Sequence, residues 1–169
     1  FYQTRTILNK DNKTKPKYLG KVQAEKTLFN IDKVTNDHDK VYIFEGPINA
    51  FFTKNSIAVA GITERGRSFT GRQEQQLNST LKWFDKVWIL DSQWVDQASL
   101  IKSEVLLKQN EKVFIWPEKF GKRFKDFNDI AIAAEIDEIR WEFIEKNTFE
   151  GLEGIVKLSE IKRYKNAIL

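Results

Sequence analysis

Residues 41–47 read VYIFEGP, an apolar run closed by Glu45, Gly46 and Pro47. A strand with one wet face alternates apolar and polar residues, whereas a run that is apolar at every position suits a parallel strand covered on both faces. Gly46 and Pro47 stop the strand and turn the chain, which leaves the Glu45 carboxylate at the strand tip. The same composition recurs at 87–90 (VWIL), followed by Asp91, and at 113–116 (VFIW), with a further candidate at 57–60 (IAVA). Helical spacing fills the intervals over 48–53, 73–84 and 95–109, the last with Ala98, Ile101 and Val105 on one stripe. Alternating strand and helix predicts right-handed crossovers and hence an α/β fold, a mainly parallel sheet with helices on both faces. In such sheets functional side chains lie just beyond the carboxyl ends of the strands.

Outward from this core, a basic loop follows Pro117. Next come an apolar helix over about 128–135, an amphipathic helix with Ile136, Ile139, Phe143 and Ile144 on one face, and a short helix over 158–169. Upstream, 2–8 and 18–22 flank the polar stretch NKDNKTKPK and predict a hairpin. The expected organisation is a hairpin subdomain at 1–35 packed on a core at 36–135, with a C-terminal helical extension at 136–169. With 169 residues, 41% hydrophobic and 13% aromatic, the chain can build a full core. The absence of Cys excludes disulfides, thiolate zinc sites and a cysteine nucleophile, and His38 is the sole histidine, so any metal must be held by oxygen. No run approaches the roughly 18 apolar residues of a membrane helix, and no signal-peptide pattern opens the chain, so the expectation is a cytoplasmic protein with no membrane partner. The absence of Met, an initiator included, predicts a fragment of a longer protein.

The strand tips carry acids. Glu45 follows the first strand; Asp91 follows the third, with Gln93 two residues on; the chain after 113–116 leads into Lys125, Asp126, Phe127, Asn128 and Asp129. If the strands are neighbours, Glu45, Asp91 and one of Asp126 or Asp129 converge, and their mutual repulsion calls for a divalent cation. Mg²⁺ is typically held by one or two carboxylates with waters and substrate phosphates, which points to phosphoryl transfer. Glu45 is the expected general base if burial and its neighbours raise its pKa. Taken one at a time, such acids are more commonly helix caps or solvated turn residues; their recurrence on separate strands argues for a site.

Basic residues cluster at Lys13, Lys15 and Lys17, at Arg65, Arg67 and Arg72, and at Lys119, Lys122, Arg123 and Lys125. The last two clusters follow strands on the proposed catalytic edge and would attract template phosphates or nucleoside triphosphates. Overall, 28 basic against 24 acidic residues give only +4, so location matters more than total. Trp88 and Trp116 read as core, and Trp94 as packing in preference to base stacking. The glycines of 61–71 lack the spacing of a phosphate-binding P-loop.

These residues resemble a known family. Glu45-Gly46 before a small helix, Asp91 with Gln93 at the next motif position, and the later KDFND are similar to the Toprim domain of bacterial-type primases, topoisomerases and related nucleases. Within it, VYIFEGPINAFF, LDSQW and KDFND look most like bacteriophage primases, and the upstream QTRTI and KYLG resemble the strand pair preceding the core; the likeness spans about residues 2–135. The resemblance implies a Toprim-like, Rossmann-like fold and a Mg²⁺-dependent (or Mn²⁺-dependent) nucleotidyltransferase. Such an enzyme makes short RNA primers from ribonucleoside triphosphates on a single-stranded DNA template, beside a replicative helicase and, if phage-encoded, in the host cytoplasm. It implies Glu45 as catalytic acid/base and Asp91 as catalytic and principal metal ligand. Glu45, Gln93, Asp126 and, less well matched, Asp129 complete the metal set, and Arg5, Lys17, Arg65, Arg67, Arg72, Lys122, Arg123 and Lys125 would meet nucleotide or nucleic acid. The chain departs from the family at Asn49 and Gln93, where Asp is usual. Those neutral residues keep open a catalytically weakened nucleic-acid-binding or assembly module; a Toprim nuclease is a further alternative.

Overall fold

The computed structural model describes residues 3–5, 18–20, 23–60 and 71–168. Strands β1 (Gln3–Arg5) and β2 (Tyr18–Gly20) pair antiparallel in a two-stranded sheet of their own. The main sheet comprises β3 (Lys40–Phe44), β4 (Ser56–Ala58), β5 (Asp85–Ile89), β6 (Lys112–Phe114) and β7 (Thr148–Phe149), in the order β4-β3-β5-β6-β7. All neighbours are parallel except β7, which runs antiparallel to β6. The helices are α1 (Gly71–Gln75), continued by a π-helical turn over Gln76–Thr80, then α2 (Gln97–Lys108), α3 (Glu118–Gly121), α4 (Phe127–Ala134), α5 (Trp141–Lys146) and α6 (Gly151–Ile168). This is the expected α/β, Rossmann-like arrangement. From β3 the chain steps outward to β4 and then returns to the other side of β3 as β5, so the strand order reverses between β3 and β5. A crevice opens at such a switch point, beyond the carboxyl ends of the two strands.

Burial explains the apolar runs. Val41, Ile43, Ile57, Trp88 and Val113 face a layer containing Leu100, Leu106 and Leu107 of α2 and Leu158 and Ile161 of α6. Tyr42, Phe44, Val87, Ile89 and Phe114 face the opposite layer, with Phe127 and Ile130 of α4 and Ile144 of α5. Successive strand residues point to opposite faces, so a sheet covered on both sides needs apolar residues at every position.

Several expectations are corrected. On α2 the expected stripe is rotated: Ile101 and Val105 are exposed, whereas Ser99, Leu100, Lys102, Ser103, Leu106 and Leu107 are buried. The helix is wedged between the sheet and α6, and the small serines on its inner face disguise that face as polar. The helix expected from Ile136 begins only at Trp141. Ile139 instead donates its backbone N–H to the Phe52 carbonyl at 2.8 Å and is still buried. The C-terminal helix is not a short one over 158–169 but the full length of α6, starting at Gly151. Gly154 lets it approach α2, since a Cβ there would stand 2.3 Å from a Leu107 methyl. The segment 48–53 forms a 3₁₀ turn over Asn49–Phe52. Among the described residues no helix is long and apolar enough to cross a membrane.

Candidate active site

The carboxyl ends of β3 and β5, parallel neighbours in the sheet, carry the two acids expected at the site. Glu45 follows Phe44 directly, and the parallel register sets Phe44 opposite Ile89, two residues before Asp91. The two carboxylates are adjacent, and the Asp91 backbone N–H donates to Glu45. The loop leaving β5 is tightly tied. Ser92 N–H donates to the Lys125 carbonyl at 2.7 Å, Ser92 Oγ donates to the Gly121 carbonyl at 2.7 Å, and the Val95 and Asp96 N–H groups both donate to the Ser92 carbonyl. A Cβ on Gly121 would lie 2.2 Å from Trp94, so only glycine lets the α3 segment close on this loop. These bonds carry Lys125 and Asp126, at the start of α4, to the tip of β5.

Burial, then the negative charges of Asp91 and Asp96, push Glu45 up to about 7 from 4.5, against the pull of the Lys125 ammonium and the Asp91 N–H. Burial also raises Asp91, offset mainly by Lys125, whose Nζ stands 3.2 Å from Asp91 Oδ2. The Lys125 pKa rises in return, with Asp91 the chief cause and Asp96 and Asp126 adding to it. A carboxyl whose pKa is pushed up to about 7 by burial and a neighbouring acid is the pattern of a general acid or base.

The remaining expected residues divide. Asp126 joins the field of the cluster but spends Oδ1 on the Asp129 N–H at 3.0 Å, capping α4. Asp129 turns Oδ2 back to the Lys125 N–H at 3.0 Å, so its carboxylate serves the same helix start. Gln93 departs most from expectation. It is fully buried, its amide donates to Ser103 Oγ and the Phe114 carbonyl, and its Oε1 accepts the Trp116 N–H, so it knits β5 to α2 and β6 instead of facing the acids. Asn49, buried, accepts the Asn128 N–H at 3.0 Å and ties the turn after Glu45 to α4. Lys122 lies over the Tyr164 ring at 3.4 Å and pairs with Glu118, Arg123 lies against Phe124, and Arg72 is exposed on α1. Lys17, Arg65, Arg67 and the Arg5 side chain lie outside the described residues. Trp94 packs, its indole N–H donating to the Trp116 carbonyl.

Two contributors escape sequence reading. Asp96 caps α2 through the Ser99 N–H and adds negative charge beside Glu45, while Ser99 Oγ reaches Glu45 Oε2 at 3.5 Å. The signal for Asp96 was an acid three residues ahead of a serine at a helix start, which reads only as a cap. Lys165 of α6 also feels Asp96.

Hard carboxylate oxygens of Glu45 and Asp91, with Asp126 beyond, are of the kind that suits Mg²⁺ or Mn²⁺. Among the described residues, however, no three acidic or histidine side chains stand close enough to hold one ion together. Lys125 is the cation in contact with Asp91 instead. A cleft of about 390 Å³ lined by Trp94, Trp116, Pro117, Lys157 and Tyr164 among others includes neither Glu45 nor Asp91 in its lining.

The chain is 28% identical to the DNA primase of Enterobacteria phage T4 over 136 residues. The chain is thus similar to a phage primase. The alignment takes in 79% of this chain and 35% of that primase, so the chain spans about a third of its relative's length. No protein-family model matches the chain.

Proposed function

We propose that this chain is the Toprim catalytic core of a DNA primase, a Mg²⁺-dependent nucleotidyltransferase that makes short RNA primers on single-stranded DNA. The observation that carries the reading is the adjacent pair Glu45 and Asp91 at the switch point of a parallel sheet, one of them poised near neutrality; the relationship to a phage primase supports it. Glu45 would take the proton from the attacking hydroxyl, for which a pKa of about 7 is suited. Asp91 and Asp126 would hold the cation, with Glu45 beside them; when bound, it neutralises phosphate charge and orients the attacking oxygen. Lys125, Arg123 and the other basic residues would receive the triphosphate and the template backbone. The test is primer synthesis by the complete protein with ribonucleoside triphosphates and Mg²⁺. Glu45→Gln should abolish product while the thermal melt is kept, and undiminished synthesis would reject the role.

A second reading, a module that binds nucleic acid or assembles a replication complex without catalysis, draws on Asn49 and Gln93. Both neutral side chains are committed to holding the fold, which leaves fewer charged ligands. Binding of single-stranded DNA by the complete protein with no primer made at any Mg²⁺ or Mn²⁺ concentration would favour it.

A further inference from the structure

Lys125 combines a fixed backbone with a half-exposed side chain. Its carbonyl accepts the Ser92 N–H at 2.7 Å and its N–H donates to Asp129 Oδ2 at 3.0 Å, so the Cα is pinned from both sides at the tip of β5. Its side chain is 53% exposed, while the Asp91 side chain it meets at 3.2 Å is only 13% exposed. The ammonium acts on Asp91, Asp96, Asp126 and Glu45 together. Among the described residues no three of these acids stand close enough to share one ion. An unpaired Asp91 buried to this degree beside other acids would be costly, so some cation must stand there when no metal does.

We propose that Lys125 is a resident placeholder cation: it neutralises Asp91 in the metal-free protein, yields that carboxylate to an incoming divalent ion, and turns its freed ammonium to a substrate phosphate. The inference rests on the proposed ion site at Asp91. The pinned Cα makes the exchange local, because only the side chain has to move. A released ammonium stays within one side-chain length of the ion, where it can pair with the oxygens of a triphosphate group. Lys125 therefore opposes the metal and favours the phosphate, and these opposite signs separate it from a residue that merely adds positive charge.

The test is Mn²⁺ binding by the chain, read from the electron paramagnetic resonance of free Mn²⁺, followed by competition with inorganic tripolyphosphate. Lys125→Met should bind Mn²⁺ about fivefold tighter, the factor expected on removing a half-exposed ion pair, and should bind tripolyphosphate in the presence of Mn²⁺ about tenfold more weakly. Lys125→Arg, which keeps the competing charge, should hold Mn²⁺ close to the parent's affinity. It serves as the folded reference should the Met variant be unstable, and an Mn²⁺ affinity in it fivefold or more above the parent's overturns the exchange. Unchanged or weaker Mn²⁺ binding in Lys125→Met also overturns it. If Asp91→Asn abolishes Mn²⁺ binding in that case, the ion site survives and only the placeholder role falls. If Asp91→Asn leaves Mn²⁺ binding as in the parent, the ion site and the placeholder fall together.

Discussion

At the amino edge of the sheet Lys40 pairs with Glu145 and Lys112 with Asp85, one cation to each carboxylate. At the carboxyl edge of the same strands, Glu45, Asp91, Asp96 and Asp126 gather within the field of Lys125, and acids outnumber cations. The first edge shows what a fold does with charge when only solubility and modest pairing are at stake. The second carries repulsion and desolvation that lower stability, and burial raises both Glu45 and Asp91. A chain with no use for that excess would gain by neutralising it. On the proposed function, the contrast separates residues that serve structure from residues that would serve chemistry.

Glu45→Gln should break the contrast most visibly. Primer synthesis by the complete protein should fall on the order of 10²–10⁴-fold, the span of a lost general acid or base, while urea unfolding shows equal or greater stability. The same pair of proteins tests the electrostatics. Glu45 has a folded pKa of about 7 against 4.5, so the folded state holds this proton more tightly, and the stability it contributes is full below pH 4.5 and lost as pH rises through about 7. The parent's urea midpoint should thus fall behind that of Glu45→Gln across this interval and stay a constant distance behind above it. A flat difference would remove Glu45 from the coupled set.

Gln93→Asp separates family analogy from local geometry. If the residue were a ligand position, the carboxylate should strengthen Mn²⁺ binding. Because the amide is buried and bonded to Ser103, Phe114 and Trp116, the substitution should cost about 3 kcal/mol in urea unfolding, as a buried charge left without a partner does. Asp126→Ala should cost about 1 kcal/mol through loss of the α4 cap, whereas Asp126→Asn, which still caps, should keep stability and isolate the contribution of its charge to Mn²⁺ binding. At the amino edge, Lys112→Gln should cost about 0.5 kcal/mol, typical of a partly exposed ion pair, and leave primer synthesis unchanged.

The parallel core was legible because burial on both faces writes itself into VYIF, VWIL and VFIW without reference to distant residues. The acids at the strand tips were legible for the same reason, since the strand ends were. What failed depends on partners far along the chain. β7 is only Thr148–Phe149, and its pairing with β6 leaves no local pattern. The inward face of α2 includes Ser99 and Ser103, small enough for close packing and polar enough to mislead any count of apolar residues. An amide such as Gln93 can donate and accept, and its destination was decided by Ser103 and by backbone groups on β6. Asp126 and Asp129 follow a strand as a ligand would, yet each also begins a helix, and sequence cannot rank the two uses.

The last helix bears on how this protein can be handled. Leu158 and Ile161 belong to the layer that holds Val41 and Ile43, Gly154 rests on Leu107, and α2 in turn presents Asp96 and Ser99 to Glu45. Trimming the chain ahead of residue 151 would strip one wall from that layer and wet Leu106 and Leu107. The tail works as a backing plate for one side of the crevice, and a shortened version prepared for assay would measure a site whose support had been cut away.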